Sequence, residues 1–230
     1  MTVRLHGRDV PETLAELVQR ESTALLIIDM QNDFCAEGGT SDLAGGEIGM
    51  FREIVPRIAQ IAADARRAKV PVIHACMVSL PNGASDSIAW LRLKLRASQN
   101  YAAENESPFE FTLVDTWGAA IISDLHPEPG DIVIEKYRSS ALHGTALDDV
   151  LRAHRVQTVV VAGCTTEGCV ESTVRDLTFH DYIPVVLVDS VASDHPELHE
   201  KSLASMSAYR ADTATADEVS RCWAQPSHRQ

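Results

Sequence analysis

The chain has 230 residues, 45% of them hydrophobic and 23% charged, a composition that builds one globular domain with a sizeable core. Its 33 Asp and Glu outweigh 20 Lys and Arg, giving a formal charge of −13; this argues against a nucleic-acid backbone or an anionic membrane as the main partner and leaves a local cationic pocket. The opening "MTVRLHGRDVPETLAELVQR" lacks the apolar core of a signal peptide and no later run is long enough to span a bilayer, so a cytoplasmic protein is expected.

A short helix over 11–20 precedes the first of five continuous apolar, β-branched runs, "ALLIIDM" (24–30). A helix over 47–69 follows, with Ile54, Ile58 and Ile61 at helical spacing, and then "VPVIHACMV" (70–78). Residues 79–130 break the rhythm with "SLPNGASDSIAW", the cations Arg92, Lys94 and Arg96, and "ESPFEFTLVDTWG", where a substrate-specific loop is expected. Next come "DIVIEK" (131–136), a helix over 145–154, "TVVVAG" (158–163), a helix over 167–180, "IPVVLVDS" (183–190) and a helix over 196–209. Continuous rather than alternating runs predict fully buried strands. Their alternation with helices predicts an open, mainly parallel α/β sheet with helices on both faces, in a single domain over 1–230 with its core at about 21–210. The tail "WAQPSHRQ" is expected to be frayed.

In such a sheet ligands bind at the carboxyl ends of the strands. Asp29 ends the first run, Lys136 ends "DIVIEK", and the loop after "TVVVAG" carries Cys164 and Cys169. Singly, each has an ordinary explanation as a cap, a solvated cation or a small buried hydrophobe. Together on one rim they are what an activated thiol nucleophile needs. Cys169 falls in the first turn of the predicted 167–180 helix, with Thr165 or Thr166 as N-cap, where helix terminus and a lysine favour thiolate over thiol. Cys164 precedes that helix and is read as backbone and packing. The C-x4-C spacing is not the C-x2-C of thioredoxin-like or zinc sites, and five scattered cysteines, an odd number, give no disulfide framework.

"ALLIIDMQNDFC", "PGDIVIEKYRSSALHGTALDDVLR" and "VVVAGCTTEGCVESTVRDLTFHDYIPVVLVDS" resemble the isochorismatase-like cysteine hydrolases. That resemblance implies a three-layer α/β/α sandwich assembled as homodimers or homotetramers. It further implies an Asp29, Lys136, Cys169 triad, a cis peptide at Cys164–Thr165, and an oxyanion hole formed by the backbone N–H groups of Thr165 and Cys169. The activity implied is cysteine-dependent hydrolysis of an amide or ureido C–N bond in a small molecule through a thioester. Cys169 points away from the isochorismatases proper, which cleave a vinyl ether without a cysteine. The metal-binding histidines of nicotinamidases have no counterpart after "VPVIHACMV", so no metal or cofactor is implied. His195 and His199 lie four residues apart, but Pro196 marks a helix start there, with Asp194 as N-cap candidate.

The branch resembled includes hydrolases of N-carbamoylsarcosine, ureidoacrylate, biuret and maleamate; "CVESTVRD" looks nearest to the ureidoacrylate and biuret type. Gln31, Phe34, Trp90, Tyr137 and Ser139 are pocket-wall candidates, and Arg92, Lys94, Arg96 and Arg138 are candidates to neutralise a substrate carboxylate. Competing readings are a nicotinamidase-type or other small-amide hydrolase, a thiol sensor pairing Cys164 with Cys169, and a silent member of the fold.

Overall fold

The computed structural model describes residues 3–98 and 111–225. An antiparallel hairpin, β1 (Val3–Leu5) and β2 (Arg8–Val10), opens the chain. The helix expected over 11–20 is a single turn, α1 (Leu14–Leu17), held by a capping box between Thr13 and Glu16. In chain order there follow β3 (Thr23–Ile28), α2 (Asn32–Cys35), α3 (Thr40–Leu43), α4 (Gly49–Ala68), β4 (Val72–Met77), α5 (Ile88–Ser98) and β5 (Ile132–Lys136). The second half contributes α6 (Leu147–Ala153), β6 (Thr158–Cys164), α7 (Glu171–Phe179), β7 (Ile183–Ala192), α8 (Pro196–Tyr209), β8 (Asp212–Ala214) and α9 (Ala216–Ala224).

Six strands form one sheet in the order β5-β4-β3-β6-β7-β8, and every neighbouring pair is parallel. The chain builds outward from β3 in one direction through β4 and β5, then returns to β3's other side and builds outward through β6, β7 and β8. The strand order therefore reverses between β3 and β6, which opens a crevice at their carboxyl ends.

Side chains alternate across the sheet. Leu25 and Ile27 of β3 join Val160 and Ala162 of β6 under Ile54, Ile58 and Ile61 of α4 and Val219 and Trp223 of α9. Ala24, Leu26 and Ile28 join Val159 and Val161 on the other face, under Leu147 and Leu151 of α6, Val174 and Leu177 of α7 and Met206 of α8. The result is a three-layer α/β/α sandwich, in which each fully buried aliphatic side chain contributes about 1.5–3 kcal/mol.

Three expectations need correction. β5 is an edge strand that alternates, with Ile134 and Lys136 inside and Val133 49% exposed. The presumed frayed tail begins inside α9, where Trp223 is buried and its Nε1 donates to Val18 O at 3.0 Å; residues 226–230 of that stretch lie outside the described residues. α8 begins at Pro196 with His195, not Asp194, in the cap position. On α5, Lys94 is buried while Ile88 and Leu93 are exposed.

Candidate active site

Asp29 follows β3 with φ +52°, a left-handed conformation that aspartate tolerates better than most residues. Its N–H donates to Ala75 O at 2.8 Å and its Oδ1 accepts from Met77 N at 2.8 Å, so the end of β4 orients the carboxylate. Gln31 reinforces the same junction. Its Oε1 also accepts from Met77 N, and its Nε2 donates to Met77 O at 2.8 Å and Ala119 O at 2.7 Å. Asn32 continues this clasp, with N donating to Ala120 O at 2.9 Å and Nδ2 to Trp117 O at 2.7 Å.

Lys136 closes β5 two strands away. The alternation of that strand turns it inward, where it is fully buried. Its ammonium has three N–H donors and three acceptors: Asp29 Oδ2 at 2.7 Å, Cys169 Sγ at 3.2 Å and Arg138 O at 3.3 Å.

β6 brings the thiol. Gly163 has φ +115°, and a Cβ there would lie 2.0 Å from Ile28 O, so only glycine lets the end of β6 pass this close to β3. The register with β7 shifts between Val161 and Gly163, and the Cys164–Thr165 peptide is cis. Thr166–Val170 then form a π-helical turn, not the expected first α-turn, and Thr165 caps it without a side-chain bond. Gly168 N and Val170 N both donate to Thr165 O at 3.1 Å. Cys169 sits half-buried in this turn.

The expected acidic thiol is also corrected. Burial, joined by the adjacent Asp29 carboxylate, pushes the Cys169 thiol up to about 12, and Lys136 offsets this only in part. Burial opposes the charge on Lys136, yet Asp29 and Cys169 outweigh it and hold the ammonium above its ordinary range. The resting arrangement is a neutral thiol against an Asp29–Lys136 ion pair: a base, a fixed cation and a sulfur within hydrogen-bond reach of one another.

Cys164 lies on the other face of the sheet from Cys169. Its Sγ donates to Asp29 O at 3.2 Å, and its thiol neighbour is Cys35, 4.0 Å away; sequence reasoning missed Cys35 because nothing local marks it. Asp33 was missed likewise. It accepts from Thr40 N at 3.1 Å, Thr40 Oγ1 at 2.8 Å and Thr112 N at 2.5 Å, tying the return of the excursion to the rim; its place in "QND" just past a strand end was the available signal.

Of the pocket-wall candidates, Gln31 is wholly buried scaffold. Phe34 packs edge-on against Phe111, ring centroids 5.9 Å apart, and Trp90 lies under the Arg138 guanidinium at 5.0 Å. Tyr137 lines a cleft of ≈ 380 Å³ with Leu80, Ser85, Arg138, His143 and Gly144. Ser139 is half-buried beside them in sequence and does not line that cleft. Tyr137 and Arg138 of that lining follow Lys136 directly in the chain. His199 accepts or donates at Thr166 Oγ1, 2.8 Å away, and among the described residues no three His, Cys, Asp or Glu side chains are grouped to hold a metal. No helix among the described residues is long and apolar enough to cross a membrane.

The parallel three-layer sandwich gathers an acid, a cation and a thiol at its topological switch, and its fold is that of solved isochorismatase-like hydrolases. Residues 23–218 match the isochorismatase domain, and the chain belongs to that family. It is 33% identical over 212 residues to ureidoacrylate amidohydrolase RutB of Methylorubrum extorquens, covering 86% of this chain and 81% of the relative. Among solved structures, a cysteine hydrolase from Pseudomonas syringae superposes with a TM-score of 0.76 at 25% identity, covering 90% of this chain and 94% of that one. N-carbamoylsarcosine amidase from Thermoplasma acidophilum shares the fold, with a TM-score of 0.65 at 24% identity over 85% of this chain and 97% of that one.

Proposed function

We propose that the chain is a cysteine-dependent amidohydrolase that cleaves a C–N bond of a small ureido or amide substrate. The observation that carries this is the position of Lys136 Nζ, 2.7 Å from Asp29 Oδ2 and 3.2 Å from Cys169 Sγ. The likeness to a ureidoacrylate amidohydrolase over 86% of the chain supports the ureido class.

Because the resting thiol is neutral, its proton leaves as the sulfur attacks. Asp29 accepts that proton while Sγ bonds to the substrate carbonyl carbon. Lys136 keeps its charge and stabilises the sulfur as electron density builds there. The backbone N–H groups of Thr165 and Cys169, at either end of the π-helical turn, are the proposed donors to the tetrahedral oxygen, each worth about 3–4 kcal/mol in the transition state. Collapse breaks the C–N bond, Asp29 returns its proton to the departing nitrogen, and water hydrolyses the thioester. Exposed Ile88 and Leu93 on α5 support the homodimer or homotetramer that the family resemblance implies.

The test is ammonia release from N-carbamoyl acids, biuret, short amides and nicotinamide by wild type and Cys169→Ala. Turnover of a ureido or amide subset that disappears in the variant is expected. Activity retained in Cys169→Ala would sink the assignment.

A further inference from the structure

We propose that His199 of α8 is a positioning residue for the nucleophile: in its neutral form it holds, through Thr166, the π-helical turn that carries Cys169. The inference rests on the amidohydrolase reading for its effect on turnover, and it adds a dependence on the protonation of one imidazole outside the triad.

The turn is gripped at both ends. At its far end Thr173 Oγ1 of α7 donates to Cys169 O at 2.7 Å. At its near end Thr166 is wholly buried, and α8 holds it twice. His199 Nδ1 lies 2.8 Å from Thr166 Oγ1. Ser202 Oγ, about one helical turn further on, donates to Thr166 O at 3.3 Å and to the Glu171 carboxylate. Thr166 stands between Thr165 and Cys169, the two proposed oxyanion donors, so a shift at this end disturbs both the oxyanion site and the sulfur.

The contact with His199 depends on a proton. Among the described residues Thr166 Oγ1 has no other hydrogen-bond partner, and a buried hydroxyl left without an acceptor is costly. Thr166 therefore donates and Nδ1 accepts, which requires the neutral imidazole with its proton on Nε2. A second proton turns Nδ1 into a donor and strands the Thr166 hydroxyl. Burial favours the neutral form and holds His199 below its ordinary 6.5, against the charges of Glu167 and Glu200.

An acceptor for the protonated form stands on the same turn. Glu167 follows Thr166, and its Oε2 is a buried side-chain oxygen with no hydrogen-bond partner, a rare condition in a folded protein. Of the two glutamates it pulls harder on His199. The other titratable groups about His199 are Glu200 and His195 on α8 and the mutually paired Glu171 and Arg175 of α7. As pH falls, the charge gained by His199 is balanced by Glu167 and the Thr166 bond is lost.

The experiment reads kcat from about pH 5 to about pH 8 on a neutral ureido or amide substrate. It compares wild type with His199→Asn, whose amide oxygen can take the place of Nδ1 without titrating. Wild type should lose roughly 2- to 10-fold more activity than the variant as pH falls through the His199 midpoint, the worth of one neutral hydrogen bond. Glu167→Gln should move that loss to lower pH. An acid profile in His199→Asn equal to that of wild type overturns the proposal; should that variant misfold, Thr166→Val, which removes the hydroxyl at nearly constant shape, decides in the same way. The rate of Cys169 alkylation over the same range separates the two claims. A ratio of wild type to His199→Asn that changes through the His199 midpoint, without turnover of any amide, rejects the amidohydrolase reading and keeps the positioning role. A ratio independent of pH rejects the positioning role whatever the turnover.

Discussion

Asp29→Asn should make the thiol more acidic and the enzyme less active. Asparagine preserves the shape, tolerates the positive φ of this position and still offers an oxygen to Met77 N, so the fold should survive. What changes is charge. At 3.2 Å and an effective dielectric near 20, a full ammonium–thiolate contact is worth about 5 kcal/mol, or about 4 pK units. In the wild type, burial and the Asp29 charge more than cancel that attraction, leaving the thiol at about 12. Without the carboxylate, buried Lys136 has lost its anionic partner, and the Cys169 thiolate is the group in contact that can replace it. The thiol midpoint should therefore fall, with burial, the largest cause of its elevation, still opposing the shift. Turnover should nonetheless drop at least about 100-fold, because no base remains to carry the proton to the departing nitrogen. The assay is the pH dependence of Cys169 alkylation, followed by mass spectrometry, alongside steady-state hydrolysis. A midpoint that stays put or rises would refute the electrostatic account, and full turnover would refute the proton-carrier role.

Gly163→Ala places a methyl 2.0 Å from Ile28 O at φ +115°, so it should cost about 4 kcal/mol or more; a melting temperature within a few degrees of wild type would contradict the close strand approach. Arg66 grips Asp131 with Nη2 at 2.6 Å and Nε at 3.2 Å, and Arg66→Ala leaves that buried carboxylate with the Glu128 N–H at 2.9 Å and His74 Nε2 at 3.4 Å but no guanidinium, at a cost of about 3 kcal/mol near neutral pH. Burial alone would lift the Asp131 pKa, but the Arg66 hydrogen bond, the Glu128 N–H and the charges of Arg66 and His74 together outweigh it and hold it below its ordinary 3.8. The pair's stabilisation is thus present above that value and lost as pH falls through the depressed one. Urea denaturation should show the wild type and Arg66→Ala converging as pH falls through the depressed Asp131 pKa; a gap independent of pH would show that the ion pair is not its source.

Much of the fold was legible in the amino-acid order because burial leaves a local trace. β3, β4 and β6 are covered on both faces and read as unbroken apolar runs, while Ile54, Ile58 and Ile61 repeat at the pitch of α4. Asp29 and Lys136 stood out because a charged side chain at the end of such a run needs a reason. Short elements left weaker traces. β8 has three residues, too few for a period, and Trp223 in a polar stretch gives no hint that it packs from α9 into the core and bonds Val18 O. On α5, Lys94 turns inward to meet Asp86 and leaves Ile88 and Leu93 outside, an orientation that no local pattern marks.

Strand direction and side-chain period are local properties, so the order of residues already marks which of them could do chemistry and stands them on one rim. What they do to one another depends on the assembled fold. Lys136 belongs to the edge strand, yet it reaches between Asp29 and Cys169 because β5 pairs with β4 and β4 with β3, a register that no local pattern encodes. The direction of the thiol's shift was likewise beyond local reading: it is the difference between desolvation, one carboxylate and one ammonium, each set by distances of a few ångströms.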